Sequence, residues 1–217
     1  LGDLKCAQSP ITHDQHTPLQ LKEQLNAGKC RYIKTMPTHP KIIEQTKKWI
    51  HDVVIGCNFC PFAAKPFNQK TIFYRVEESA VLQTGLQSFM EEVYRLDTDP
   101  ETETTFLVFT NAYTRFDDYL DLVSKAEYLL KLEGYNGTYQ LASFHPLYRF
   151  AGSDEDDAAN FTNRSVYPML HLLRESSIDK ALEHYKNPED IPERNIQFAR
   201  EKGIGYMKML RDACSQQ

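Results

Sequence analysis

Between Leu141 and Glu175 the chain reads LASFHPLYRFAGSDEDDAANFTNRSVYPMLHLLRE, placing two histidines, three arginines and a block of acids and amides between hydrophobic anchors. His145 and His171 are of the type that transfers protons near neutral pH. Arg149, Arg164 and Arg174 could converge on a carboxylate or phosphate. Asp157, Asn160 and Asn163 recur at spacings of three, which on a short helix puts them along one side, where they could hold a hard cation or a hydroxylated group. Each also has a plainer reading. His145 could be a hydrogen-bonded histidine at a strand end, the arginines could neutralise Asp154 to Asp157, and the amides could form a solvated face. Ser153 with Asp156 fits a capping box, which accounts for part of the acidic run. His145, His171 and an Asp would suffice for a metal centre, yet no spacing such as H-E-x-x-H is present, so a divalent metal stays an open alternative.

The second chemical candidate is Cys57-Asn-Phe-Cys60-Pro-Phe62. A C-x-x-C pair can form a redox disulfide or supply two metal ligands, but one pair does not complete a structural zinc site. Gly56 ends a helix, so the negative dipole end disfavours a thiolate at Cys57. Pro61 can open a new helical turn, which makes Cys60 the end where a thiolate would be stabilised.

The elements that must position these residues follow from periodicity. Pro40 can open a helix, and Ile42, Ile43, Trp49, Ile50, Val53 and Val54 recur at helical spacing up to Gly56. Thr71 to Glu77, Thr104 to Thr110 and Thr138 to Phe144 read as strands, and Ala80 to Leu96 and Asp117 to Leu132 as the helices between them. Two further helices are expected, roughly Pro168 to Tyr185 and Pro192 to Ala213. In the first, Met169, Leu172 and Leu173 would be buried and His171 and Arg174 would point away. In the second, Gly203 and Gly205 mark a kink or break. Strand–helix alternation of this kind predicts an α/β or α+β fold with a three- or four-stranded, largely parallel sheet and packed helices. A split antiparallel α+β sheet is the alternative. If the strands are parallel, ligands collect outside their carboxyl ends, at Glu77 to Ser79, Thr110 to Arg115 and His145 to Arg149.

Length and composition set the frame. The 217 residues suit one globular domain, 39–217, with an N-terminal extension, 1–38, that shows no sustained apolar period apart from a short Leu19 to Leu25 stretch and for which an edge strand at Arg31 to Lys34 is expected. With 41% hydrophobic and 25% charged residues the chain can fold. A formal charge of -5 gives no field for nucleic acid or anionic lipid. No apolar run is long enough to span a bilayer, and the first 30 residues lack a signal-peptide layout. Five scattered cysteines make a poor disulfide framework, so a reducing cytoplasm is the expected compartment.

Taken together, VVIGCNFCPFA, ASFHPLYRFAG, DDAANFTNRSVYPMLHLLRE and IPERN resemble a mainly bacterial family known as a domain of unknown function, over roughly Pro40 to Gly203. The family pattern has an apolar residue in place of Cys57, where this chain departs. Cys60, His145, Asp157, Asn160, Asn163, Arg164, His171, Arg174, Arg194 and Asn195 all fall on matching positions. The leading expectation is a soluble enzyme acting on a small anionic metabolite, its reaction open. Arg149, Arg164, Arg174, Arg194, Asn160, Asn163 and Asn195 would bind the ligand, His145 or His171 would move protons, and Asp157 would orient a histidine or metal. A non-catalytic binding or assembly module, its polar segment a buried hydrogen-bond network, is the alternative. Thiol chemistry at Cys60 is a second one. Oligomeric state is not specified by the sequence.

Overall fold

The computed structural model describes residues 39–183 and 185–216. The expected extension 1–38, with its edge strand, lies outside them. Pro40 sits in the first turn of α1 (Pro40–Trp49), where its missing N–H is not needed. The helix widens into a π-type stretch, Ile50–Ile55, and the N–H of Gly56 reaches back five residues to the His51 carbonyl at 2.9 Å. A Cβ at position 56 would lie 2.3 Å from the Asp52 carbonyl oxygen, so the close approach admits only glycine.

After the short α2 (Ala64–Gln69), strands and helices alternate as their periods predict: β1 (Ile72–Glu77), α3 (Leu82–Thr98), β2 (Thr104–Phe109), α4 (Phe116–Leu132) and β3 (Tyr139–Phe144). A fourth strand, β4 (Met169–Arg174), inserts between β2 and β3, giving the order β1-β2-β4-β3. β1 and β2 pair in parallel, and β4 runs antiparallel to both of its neighbours. Three strands therefore share one direction and the sheet is mixed. The chain closes with α5 (Glu175–Leu182) and α6 (Ile191–Asp212). The glycine break expected in the last helix is present, because Gly203 leaves helical geometry with φ 78°.

The helix expected from Pro168 is corrected by β4. Met169–Arg174 are strand, and the helix starts only at Glu175. A strand flanked on both sides and covered on both faces is apolar throughout, and such a run cannot be told from a buried helix by period alone. Leu170 and Leu172 join one core with Leu107, Phe109, Leu86, Phe89, Leu122 and Leu129, beneath α3 and α4. Met169 joins the other, with Trp49, Val53, Phe106, Val108, Phe161 and Met207, beneath α1 and α6.

One polar feature lies inside the first of these layers. Glu92 of α3 is fully buried and accepts hydrogen bonds from Arg95 Nε at 3.0 Å and Thr105 Oγ1 at 2.6 Å. Arg75 stands 3.5 Å away, itself bonded to Glu91 at 2.5 Å and Ser88 at 2.9 Å. Charges this deep persist only when paired and hydrogen-bonded.

Candidate functional site

His145 follows β3 directly and is completely buried, its ring against Phe116 and Tyr119 of α4. Its Nε2 donates to the Tyr113 carbonyl at 2.7 Å, and its Nδ1 accepts the Leu147 N–H at 3.0 Å. Both ring nitrogens are thus committed to backbone, and the tautomer follows from those partners. Burial pushes its pKa below the ordinary imidazole range, against the opposing pull of the Tyr113 carbonyl.

The loop that follows, from Pro146 to Asp157, is held from within. Asp157 caps a short 3₁₀ turn, Ala158–Thr162, by accepting the Ala159 N–H at 2.9 Å. The expected capping box, with Ser153 as N-cap and Asp156 as its partner, is replaced by this cap four residues later. Ser153 Oγ turns instead toward Phe150 O and Asn160 Oδ1, each at 2.9 Å. Asn160, fully buried, accepts the Phe150 N–H at 3.0 Å and donates to the Asp154 and Glu155 carbonyls at 2.8 and 3.4 Å. Arg164 donates from Nε to Tyr148 O at 2.9 Å and from Nη2 to Glu155 O at 2.8 Å, with its guanidinium 4.8 Å from the Phe161 ring. Burial and the nearby Arg211 push the Arg164 pKa down. Asn163 donates to Ser143 O at 3.2 Å, and Arg211 of α6 donates to Pro146 O at 3.0 Å. Asp157 closes the set with a two-pronged pair to Arg200 of α6 at 2.7 and 3.1 Å, which holds its carboxyl below the usual range. Arg149 alone of the predicted loop residues is exposed and has no hydrogen bond or ion pair among the described residues.

The rest of the predicted set lies elsewhere. His171 sits mid-strand in β4, stacked on Phe106 with ring centroids 3.8 Å apart and Nε2 2.7 Å from Thr104 Oγ1. Burial pushes its pKa down to about 3. It shares the α1/α6 face with Phe106 and Phe144, whereas His145 lies against α4, so the two histidines do not meet. Arg174 turns back onto the C-terminal end of α3, donating to Leu96 O at 2.5 Å and Thr102 O at 3.0 Å, where a cation offsets the exposed carbonyls. The cysteine loop is clasped by α6: Arg194 donates to Asn58 O at 2.5 Å and Asn195 to Phe59 O at 2.7 Å. Cys57 and Cys60 are free thiols. Burial pushes both pKa values up; the N–H groups of Phe62 and Ala63 at Cys60, and Lys202 near Cys57, pull the other way without prevailing. The thiolate stabilisation expected at Cys60 is therefore present but outweighed. Among the described residues no three His, Cys, Asp or Glu side chains are grouped to hold a metal.

Two side chains outside the predicted site set stand out. Thr110 Oγ1 and Tyr113 OH are buried without a hydrogen-bond partner among the described residues, just past the carboxyl end of β2. Their segment was legible as a strand end where ligands collect, but nothing in the residue types separates them from ordinary loop positions.

The family described as protein of unknown function (DUF1415) matches residues 41–209, and the chain belongs to it. No curated protein and no solved structure matches the chain.

Proposed function

We propose that this member of the DUF1415 family is a non-catalytic binding or assembly module, in which the polar segment braces the loop after β3 against the sheet and α6. One observation carries the reading. Asn160 fills its amide oxygen and nitrogen with loop partners, Arg164 gives Nε and Nη2 to carbonyls of the same loop, and His145 commits one ring nitrogen to that loop and the other to the Tyr113 carbonyl. A buried network completed internally rigidifies and specifies one arrangement. A group that is to bind substrate or move a proton needs a free valence, and Asn160 and His145 have little left.

The reading as an enzyme on a small anionic metabolite has less support. An anion clamp needs guanidinium groups that converge, whereas Arg164, Arg174 and Arg194 are tied to carbonyl oxygens in three separate places. Thiol chemistry at Cys60 is opposed by the upward push on its pKa. Amide hydrogen exchange tests the brace. Asn160→Ala should free the amides of residues 147–157 to exchange through a local opening while the sheet stays protected. Unchanged exchange in that loop would show that the network braces nothing.

A further inference from the structure

Tyr113 combines two costs at one residue. Its φ is +58°, in the left-handed region that an aromatic side chain rarely occupies. Its hydroxyl is buried with no partner among the described residues, three residues along the chain from a second such hydroxyl, that of Thr110. The ring packs edge-on against Phe109 with centroids 4.9 Å apart, and the hydroxyl lies beside α3, where a Cβ at Gly85 would come within 3.1 Å of it. The phenol stays protonated, because burial and the carboxylates of Asp121 and Glu77 push its pKa up to about 12. It would gain hydrogen bonds to water on leaving.

Beyond the packing of the ring on the core beneath α3 and α4, one hydrogen bond from a distant element opposes these costs among the described residues, His145 Nε2 to the Tyr113 carbonyl at 2.7 Å. The segment lies at the carboxyl ends of the parallel strands β1 and β2, where Thr110 N–H still bonds Glu77 O at 3.3 Å. Ligands of open α/β sheets collect at such ends.

We propose that residues 111–115 form a gate, closed in this structure, whose opening swings the Tyr113 ring out from between Gly85, Phe109 and Leu122 and exposes a ring-sized recess at the ends of β1 and β2. The strained backbone and the two unpartnered hydroxyls are relieved together when it opens, and His145 acts as the latch. The gate shares His145 with the brace, but none of its contacts involves Asn160 or Arg164.

Hydrogen exchange of the amides of residues 111–114 in the full chain tests it, with two substitutions of opposite effect. Tyr113→Phe removes the unpartnered hydroxyl from the closed state, so exchange should slow by roughly ten-fold, the effect of removing a buried polar group that lacks a partner. Gly85→Ala adds a methyl group in van der Waals conflict with that hydroxyl, so exchange should quicken, even though alanine suits the helix better. The gate is overturned if these amides exchange only with global unfolding, or if Tyr113→Phe quickens their exchange.

Discussion

Replacing His171 by Phe keeps a ring stacked on Phe106 and removes the one titrating group in that row of β2 and β4. In the folded protein the imidazole is pushed from an ordinary 6.5 down to about 3, because it is desolvated on the sheet face against Phe106. The folded state therefore binds fewer protons at this site than the unfolded chain, and stability rises with pH. The contribution is complete above about pH 6.5 and is lost as pH falls toward the folded value. Between about pH 7.5 and pH 5 the unfolded imidazole becomes roughly thirty-fold favoured in its protonated form while the folded one stays neutral, which removes about 2 kcal/mol. That figure depends little on the folded value, provided it lies well below 5. His145, lowered by burial, acts with the same sign but is present in both proteins and cancels in the comparison. Urea unfolding at both pH values gives the test. The natural chain should lose about 2 kcal/mol more than His171→Phe on acidification. Equal losses, within about 0.5 kcal/mol, would show an imidazole of ordinary pKa and refute the desolvation argument. They would also return His171 to the groups able to move protons near neutral pH.

Three further outcomes follow from single sites. Gly56→Ala should destabilise the chain by about 2 kcal/mol or more in chemical denaturation, because its Cβ would collide with the Asp52 carbonyl oxygen; a change under about 0.5 kcal/mol would contradict the close approach. Glu92→Leu should cost about 3 kcal/mol, since Arg75 and Arg95 would lose their shared carboxylate inside the α3 layer, and a neutral or stabilising outcome would mean the arginines find water instead. Cys57 and Cys60, held as thiols by burial, should react with iodoacetamide at neutral pH more slowly than glutathione does, and should match it once the chain is unfolded. Fast labelling of folded Cys60 would revive thiol chemistry there.

The alternation of β1, α3, β2, α4 and β3 was legible because each element has one dominant period and is bounded by turn residues. The helix start at Pro40 and the break at Gly203 were legible because proline and glycine act through their own backbone. β4 was not, since Met-Leu-His-Leu-Leu-Arg alternates between two buried faces that both want apolar groups, and its insertion between β2 and β3 is a long-range pairing with no local signature. The site residues were legible as a dense polar segment but not as to purpose. Asn160 and Arg164 carry the same groups whether they face a ligand or a loop carbonyl, and only the path of residues 146–157 decides which. Arg174 reads as an anion ligand until Leu96 O and Thr102 O come to lie beside it. The Glu92 cluster escaped notice because an acid on an amphipathic helix is expected in water.

The unfolding free energy of Asn160→Ala set against that of Arg149→Ala tests the brace most directly. The first leaves the Phe150 N–H and the Asp154 carbonyl without their buried partner, at about 1–3 kcal/mol for each group, so a loss of about 3 kcal/mol is expected. The second removes an exposed guanidinium with no partner and should change stability by less than about 0.5 kcal/mol. If Asn160→Ala instead folds as stably as the natural chain, the polar segment is no brace and its amides and arginines are free to serve a ligand.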